Sequence, residues 1–397
     1  MMSSFCHFYC IIVSALHRHN ELNNITFMNK KTCGIICEYN PFHNGHSYQI
    51  SQARLQSQAD VMVGVMSGTF VQRGEPGIID KWQRAETAIH GGLDIVFELP
   101  LPYAIQSASA FAHGGVQALK LAGCDFISFG SECGNLENLM EIAGTSINPD
   151  HLKEMMKDGL SYPKAYSLLT SSMAPNDILA VSYLKEIADT AMKPVLIERI
   201  GSYHDETIHE LASATAIRKA LVNQESLQNT TPMESQLKKW HVTMDQFYPY
   251  IRTFLLMTPP SVLSSYFMFS EGIENHLIHA AQNCSSWDAF LLQATTYRYT
   301  SSRIRRCLVA MMLQITKQQI ASLPEMNTLR VLAFNDNGRQ WMHDHKKDIP
   351  IASRFSSVPK PWRDIEMKAA YLYASVLPEE IRNQLIKDEI TGARYIR

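Results

Sequence analysis

The sequence has no long hydrophobic run: no stretch approaches the roughly 18 apolar residues that a membrane-spanning helix needs. Its 19 glycines and 17 prolines among 397 residues exclude a collagen-like or low-complexity chain. Its 8 cysteines form no CxxC pair and no Cys/His cluster with zinc spacing. We therefore interpret them as reduced, mostly buried thiols of a cytoplasmic protein.

There is also little net charge, and −2 by itself favours no class of partner. The two parts of the chain differ, however. Residues 241–397 carry 18 Lys and Arg against 14 Asp and Glu, whereas residues 1–240 carry 18 against 24. This difference weakly favours the C-terminal part as the place where a polyanion would bind. The hydrophobic fraction is 46%, which is enough to build the cores of two or three domains.

The first 31 residues differ from the rest of the chain. Residues 5–16 (FCHFYCIIVSAL) are apolar and about as long as the core of a signal peptide. No basic segment precedes them, and no small-residue cleavage site follows them. We expect translation to begin at Met28, or residues 1–31 to be a disordered extension. The alternative is a signal peptide or a membrane anchor.

Short apolar runs alternate with helical spacing in the next part of the chain. They predict five buried strands, at residues 32–39, 60–66, 94–99, 125–129 and 194–200. Helices predicted between these strands indicate a Rossmann-like α/β fold with a parallel sheet. In such sheets ligands bind at the carboxyl ends of the strands. We therefore expect the site in the loops after the first and fourth strands.

The pattern changes after residue 223. Residues 224–240 are mostly polar and are predicted to be a linker. Residues 241–397 carry several helical patterns and one possible strand at 329–335, which predicts a mainly α-helical domain. The α/β domain is accordingly predicted to span residues 32–223.

The strongest local signal follows the first predicted strand. Residues 40–46 read NPFHNGH, in which His43, Asn44, Gly45 and His46 form an HxGH pattern. Glycine lets the backbone approach a phosphate, and the N-terminus of the following helix attracts an anion. Two imidazoles can donate hydrogen bonds to the charge that develops on an α-phosphate. The pattern favours nucleotidyl transfer with His43 and His46 as catalytic residues; the alternative is a strand–turn–helix corner with two incidental histidines.

A second segment begins a predicted helix at residues 213–218 and reads SATAIR. Ser213 and Thr215 offer hydroxyls beside the free backbone N–H groups of a helix start, and Arg218 adds a planar cation. This combination is typical of phosphate binding. The alternative is a serine or threonine that only caps the helix.

Together these two segments resemble the HxGH and ISSTxIR signatures of the nucleotidyltransferase superfamily. Further segments closely resemble the bacterial tRNA(Met) cytidine acetate ligase family. They are GIICEYNPFHNGH, VMSGTFVQRGEP, DKWQRAETAIHGGLDIVFELP, FISFGSECG, PNDILAVSYLKEI, ERIGSYHD, YTSSRIRR and LRVLAFNDNGR. The resemblance covers about residues 32–397, and only the N-terminal extension departs from it.

The resemblance implies a function. Members of this family activate acetate with ATP, giving acetyl-adenylate and pyrophosphate, and then acetylate N4 of the wobble cytidine in elongator tRNA(Met). The ATP site implied in this chain consists of Ile36, Cys37, Glu38, Tyr39, Asn40, Pro41, Phe42, His43, Asn44, Gly45, His46, Ser47, Tyr48, Gln49, Gly130, Asn176 and Arg199, to which SATAIR adds Ser213, Thr215 and Arg218.

The residues themselves leave alternatives open for three of these positions. Gly130 follows a predicted strand and would allow close approach of a nucleoside, or simply form a tight turn. Asn176 can hydrogen-bond to a base or sugar edge, or cap a helix. Arg199 can reach a phosphate, or form a surface ion pair with Glu198 or Asp205.

Other candidates lie near the second predicted strand. Residues 67–69 and 72–75 follow it and would line an acetate or phosphate pocket. Lys81 and Arg84 are one helical turn apart and point either at phosphates or into solvent. Glu38 is a candidate base or a loop cap. We see no protein-only metal cage, so Mg²⁺ is expected to arrive with the nucleotide.

For tRNA, a basic and aromatic segment lies at residues 296–306. It contains Arg298, Arg303, Arg305 and Arg306 together with Tyr297 and Tyr299. Arginine pairs with phosphates, and aromatic rings stack on unpaired bases. The alternative is an ordinary basic helix face.

Two other functions remain open from the sequence. One is a nucleotidyltransferase that joins ATP to a small phosphorylated metabolite and needs no RNA. The other is a non-catalytic RNA- or nucleotide-binding relative, against which the intact His43/His46 pair argues. The oligomeric state, the acyl-chain specificity and the tRNA bases recognised do not follow from the sequence.

Overall fold

The computed structural model describes residues 30–145, 173–199, 212–227 and 229–397. The predictions for residues 1–29, and the predicted partner Asp205 of Arg199, lie outside these ranges. The strands are β1 (Thr32–Cys37), β2 (Val61–Ser67), β3 (Ile95–Leu99), β4 (Phe126–Ser131), β5 (Lys193–Glu198), β6 (Leu329–Phe334), β7 (Ile351–Ala352) and β8 (Arg394–Tyr395).

The described helices of the α/β part are α1 (Asn44–Ser57), α2 (Lys81–His90), α3 (Leu101–Ala104), α4 (Ala108–Leu121), α5 (Leu136–Gly144), α6 (Pro175–Ile187) and α7 (Ala214–Val222). Those that follow are α8 (Glu234–Lys239), α9 (Met244–Met257), α10 (Pro260–Leu263), α11 (Ile273–Asn283), α12 (Trp287–Ala294), α13 (Ser301–Met312), α14 (Lys317–Ala321), α15 (Asp336–His345), α16 (Lys360–Ala374) and α17 (Glu379–Thr391). A 3₁₀ turn lies at Phe355–Ser357.

The sheet is built around β1. Its order is β5-β4-β1-β2-β3-β6-β7, with β8 on β6. The first five strands pair in parallel, as the sequence predicts. The chain moves outward from β1 through β2 and β3 and then returns to place β4 on the other side of β1. This reversal opens a crevice at the carboxyl ends of β1 and β4, where open α/β sheets bind ligands.

Strand β6 comes from the part of the chain predicted to be helical. It pairs antiparallel with β3, so the sheet is mixed rather than wholly parallel. Its residues LRVLAF are nearly all buried, which explains why an isolated apolar run so far along the chain still forms a strand. The C-terminal residues therefore complete the sheet that carries the site.

Hydrophobic residues pack on both faces of the sheet. On one face, α4 and α6 cover the strands, and the core includes Phe97, Phe111 and Trp341. The other face buries Phe42, Trp82 and the apolar residues of α1, α2 and α7. A third core joins α9, α11, α12 and α13 with parts of α16 and α17. The mainly helical expectation for the C-terminal part is thus confirmed, and β6 is the strand predicted at 329–335, whereas the two-residue strands β7 and β8 were not predicted.

The predicted linker contributes to the second of these cores. Leu227, Met233 and Leu237 are fully buried there, and residues 234–239 form α8. These three apolar side chains are the feature of this mostly polar stretch that could have indicated a packed segment. They fix the segment against the α/β part.

Candidate active site

The HxGH segment leaves β1 through a tightly held turn. Tyr39 has a left-handed φ of 51°, and the Asn40–Pro41 peptide bond is cis. The Asn40 side-chain oxygen accepts a hydrogen bond from the Ile78 backbone N–H at 2.6 Å. The backbone carbonyl of Asn40 accepts a hydrogen bond from Nη1 of Arg218, also at 2.6 Å. Contacts from both sides therefore define the position from which α1 begins.

His43 and His46 hold each other through the backbone. Nδ1 of His43 accepts a hydrogen bond from the Gly45 N–H at 3.1 Å, and Nδ1 of His46 accepts from the His43 N–H at 3.2 Å. The two rings stack with centroids 3.7 Å apart. Because both Nδ1 atoms are acceptors, the proton of each neutral ring sits on Nε2. Both imidazoles thus present an N–H donor away from the helix.

The surroundings keep both histidines neutral. Burial lowers the pKa of His43 to about 3, with further lowering by the positive charges of Arg199 and Arg218. Burial also lowers the pKa of His46 well below its usual range, helped by His43 and Arg199. Near pH 7 the pair therefore donates hydrogen bonds without carrying charge.

Gly45 has a specific steric role between the two histidines. A Cβ at this position would lie 3.0 Å from two atoms of the His43 ring. Glycine leaves room for that ring over the first turn of α1. This agrees with the expectation that glycine allows close approach here, although the approaching group in the structure is the imidazole.

The segment after α7 supports the same loop, which the sequence did not reveal. The Asn44 backbone N–H and side-chain amide donate to the carbonyls of Thr230 and Asn229, respectively. The Thr231 hydroxyl donates to the Phe42 carbonyl at 2.6 Å. Three hydrogen bonds from residues 229–231 thus fix the start of α1. No recognisable pattern marks these residues, because two of the three bonds use backbone carbonyls.

The SATAIR segment lies beside the HxGH segment. Ser213 is the N-cap of α7 and accepts from the Ala216 N–H at 3.1 Å, which is the capping role considered as an alternative. The Thr215 hydroxyl accepts from Nη2 of Arg218 at 3.3 Å. Arg218 is therefore aimed at the turn that holds the histidines, and its charge acts on His43.

Gly130 and Arg199 meet near the carboxyl end of β4, and the charge of Arg199 acts on His43. Gly130 lies within β4, paired with Ile197, and not in a turn after the strand. A Cβ on Gly130 would come within 3.3 Å of the Arg199 side chain, so the arginine lies across the strand end. Arg199 Nε is 4.0 Å from Oε1 of Glu132, rather than paired with Glu198. Sequence reasoning had missed Glu132.

Asn176 faces this group from α6. Its side-chain amide donates to Oε1 of Glu132. Asn176 does not cap the helix, because Ala174 is the N-cap and Pro175 the first helical residue. Among the described residues, Oε2 of Glu132 and Nε of Arg199 are buried without a hydrogen-bond partner. A buried unpaired acceptor and donor side by side suit a ligand rich in hydroxyls, such as a ribose.

The remaining residues of the implied ATP site are scattered around the turn. Ile36 and Cys37 belong to β1, where burial raises the pKa of the Cys37 thiol. Phe42 is fully buried against Tyr39. Ser47, Tyr48 and Gln49 are half-buried on the first turns of α1.

Glu38 braces the loop that follows β2. Its Oε1 accepts from the Gln72 N–H at 2.6 Å, which is the loop-capping alternative. Burial raises the pKa of this carboxyl, although Arg73 and Arg218 oppose the rise. In the same loop Ser67 and Thr69 are buried, and the Gln72 side chain donates to the Gln106 carbonyl at 2.7 Å.

Lys81 and Arg84 correct a prediction. Neither lies on a solvated face, and neither points at the histidines. Lys81 Nζ lies 2.5 Å from Glu98 and 2.9 Å from Glu389, in a buried group that also contains Arg330. Arg84 is fully buried and donates to main-chain carbonyls, including that of Glu38 at 2.6 Å. Lys81 thus joins α2 to β3 and α17, whereas Arg84 holds the loops after β1 and β2, because buried cations need such partners.

The arginine segment does not form one basic patch either. Arg298 and Arg303 lie 3.6 and 2.9 Å from the carboxylate of Glu271, which precedes α11. Arg306 is buried and donates to the carbonyls of Gln106 and Ser302, so its guanidinium already has partners within the protein, and tRNA contact by this residue stays a prediction. Arg305 lies beside Glu75, in the loop after β2.

The two tyrosines of this segment also separate. Tyr297 is exposed, whereas Tyr299 is buried and donates its hydroxyl to the Glu271 carbonyl at 2.7 Å. Arg303 lies over the Tyr299 ring, 5.2 Å from its centroid. Tyr299 is therefore part of the helical core, whereas Tyr297 lies at the surface.

Two features are absent from the described residues. Residues 30–145, 173–199, 212–227 and 229–397 contain no group of three or more His, Cys, Asp or Glu placed to hold a metal ion. Within the same ranges no helix is both long and apolar enough to cross a membrane.

A crevice at the switch point of a parallel sheet, with an HxGH pair at a helix start, defines a nucleotidyltransferase-type site. The family model described as HIGH Nucleotidyl Transferase matches residues 30–389. A crystal structure of Thermotoga maritima TmcAL bound with alpha-thio ATP is similar, with a TM-score of 0.83 and 28% identity. That likeness covers 92% of this chain and 99% of the other.

Curated relatives identify the family more narrowly. A protein of Lysinibacillus sphaericus named tRNA(Met) cytidine acetate ligase is 37% identical, over 86% of this chain and 94% of its own length. Its namesake from Bacillus subtilis is 33% identical, over 89% and 94%. The chain belongs to the tRNA(Met) cytidine acetate ligase family and is an enzyme of the ligase class. The resemblance noted in the sequence is thus confirmed.

Proposed function

We propose that this enzyme activates acetate with ATP and transfers the acetyl group to N4 of the wobble cytidine of elongator tRNA(Met). One observation carries the first half of this proposal. His43 and His46 are neutral, stacked and tied to the start of α1, with both Nε2–H groups available as donors. Such a pair is suited to the charge that develops on an α-phosphate.

The first step forms acetyl-adenylate. A carboxylate oxygen of acetate attacks the α-phosphorus of ATP, the bond to the bridging oxygen breaks, and pyrophosphate leaves with the electron pair. His43 and His46 donate to the α-phosphate oxygens, while the N-terminus of α1 adds a favourable dipole. Arg218, held by Asn40, places a fixed positive charge on the same side.

Adenosine is assigned to the side where β4 ends. Gly130 keeps the strand end open, while Asn176, Glu132 and Arg199 supply donors and acceptors around it. The unpaired Oε2 of Glu132 is suited to a ribose hydroxyl. That a similar Thermotoga maritima structure is bound with alpha-thio ATP supports a nucleotide as the ligand. Mg²⁺ would come with the triphosphate and be held largely by phosphate and water.

The second step acetylates the tRNA in the cytoplasm. The exocyclic amine of the cytidine attacks the acetyl carbonyl, AMP leaves, and the amine loses a proton. The base must leave the anticodon stack to reach the crevice. Arg298 and Arg303, with Tyr297, form the more exposed part of the basic segment and are proposed to contact the RNA. Activation is needed because ring delocalisation makes this amine a poor nucleophile.

Acetate-dependent exchange of labelled pyrophosphate into ATP tests the first step without tRNA. We expect exchange to require acetate and to be lost in His43→Asn. A transferase that joins ATP to a phosphorylated metabolite would show no acetate dependence. The absence of any acetate-dependent exchange would exclude acetate activation, even if the protein binds ATP.

A further inference from the structure

We propose that Arg305 is a phosphate-binding residue of the catalytic crevice, supplied by the helical part of the chain. The inference deepens the function proposed above and rests on it. The ligand is a phosphate group, either in the triphosphate of ATP or in the backbone of the tRNA beside the reacting cytidine.

Helix α13 is docked directly on the loop that follows β2. A Cβ on Gly74 would collide with the Arg306 backbone nitrogen and lie 2.6 Å from the Arg305 carbonyl carbon. Gly74 also has a positive φ of 73°, so glycine is required on both grounds. Arg306, whose side chain donates to the Gln106 carbonyl, fixes the helix here. The position of Arg305 is thereby set relative to the crevice.

Arg305 faces other cations of the crevice. Burial lowers its pKa, the charge of Glu75 opposes this, and the positive charges of Arg73 and Arg218 lower it further. Arg218 in turn contacts the turn before His43. The guanidinium groups of Arg73 and Arg218 therefore both act on that of Arg305. Within the described part of the chain, the carboxylates of Glu38 and Glu75 face these arginines.

The partner that Arg305 has in the structure is a loose one. Its Nη1 lies 3.5 Å from Oε1 of Glu75, whereas charge-assisted hydrogen bonds are typically about 2.7–2.9 Å long. The guanidinium carries five N–H donors in a planar fork that matches phosphate oxygens. A phosphate entering between these arginines would relieve the repulsion among like charges. It would also give Arg305 a closer partner than Glu75.

The test compares equilibrium binding of ATP and of an unmodified elongator tRNA(Met) transcript to the full chain. We expect Arg305→Gln to weaken one of them about 10- to 100-fold. Weaker ATP binding assigns the triphosphate. Weaker tRNA binding, with the slope of log affinity against log salt reduced by about 0.7, assigns the RNA backbone. The matched control is Arg339→Gln, on an arginine that is 63% exposed on α15.

Two further variants keep the proposal falsifiable. Glu75→Gln removes the loose partner and should weaken binding much less than Arg305→Gln. Arg305→Lys keeps the charge and should recover part of the affinity, which also covers the case in which Arg305→Gln does not fold. The proposal is wrong if neither ligand binds more weakly than in the Arg339→Gln control. It is also wrong if Glu75→Gln loses as much affinity as Arg305→Gln, because the pair would then only brace the loop.

These binding measurements are independent of turnover. If the wild-type enzyme failed to acetylate the transcript, the proposed function would fail, and binding would still report on Arg305.

Discussion

His43 combines a structural and a chemical role, and two substitutions separate them. Its Nδ1 accepts the Gly45 N–H at the start of α1, while its Nε2–H is left for the substrate. His43→Ala removes both functions. His43→Asn keeps a good N-cap side chain and removes the Nε2–H donor together with the ring that stacks on His46.

The structure gives the expected sizes. Loss of an N-cap side chain costs typically about 1 kcal/mol, so His43→Ala should be destabilised by at least that amount, with additional loss from the stacked ring. His43→Asn should be the more stable of the two. Loss of one preorganised donor to developing charge typically lowers turnover by about 10²–10³-fold. Both variants should therefore show this loss in acetate-dependent pyrophosphate exchange.

Two measurements on the same preparations check the two roles of His43. Urea unfolding reports the capping role, and pyrophosphate exchange reports the chemical role. The expected pattern is unequal stability and equally low exchange. If His43→Asn kept near-normal exchange, the Nε2–H group would not be acting on the phosphate. If His43→Ala were as stable as the wild type, the capping interpretation would be refuted.

Three further outcomes follow from the structure. Because His43 is buried and neutral, its pKa of about 3 lies below the unfolded value of about 6.5. The free energy that neutral His43 contributes to folding is complete above pH 6.5 and falls by up to about 1.4 kcal/mol per pH unit on acidification toward pH 3. Urea unfolding of the wild type and of His43→Asn at several pH values measures this loss. Glu389→Gln removes the buried carboxylate shared by Lys81 and Arg330 and should lower the free energy of unfolding by about 3–5 kcal/mol in the same assay. A loss below about 1 kcal/mol would contradict this role of Glu389. Gly74→Ala should lower the free energy of unfolding by more than about 1 kcal/mol and weaken tRNA acetylation, because the new Cβ would meet the α13 backbone. Unchanged stability and activity would show that the contact is not tight.

The parallel sheet and its site could be predicted because local signals agreed. The apolar runs of β1 and β4 and the HxGH segment after β1 each indicate the same crevice, and the structure brings Arg199 and Arg218 to it. Strand β6 was foreseen as a strand, but its place beside β3 depends on pairing across more than 200 residues, which no local pattern reports.

Charged side chains were the least predictable part. A basic helix face and a buried ion network have the same spacing in sequence, so Lys81 and Arg84 seemed as suited to phosphates as to solvent. Their burial depends on Glu98 and Glu389, which come from distant segments. The four arginines near residue 300 lie apart for the same reason. Arg298 and Arg303 pair with Glu271, whereas Arg305 lies beside Glu75 and Arg306 is buried.

The most direct test of the proposed function is acetylation of an unmodified elongator tRNA(Met) transcript with labelled acetate, read by mass spectrometry of the nucleosides. We predict N4-acetylcytidine that depends on ATP and disappears in His43→Asn. Acetate-dependent pyrophosphate exchange without this nucleoside would retain the adenylation step and contradict the assigned acceptor. Folded wild-type protein that gives neither signal would contradict the account as a whole.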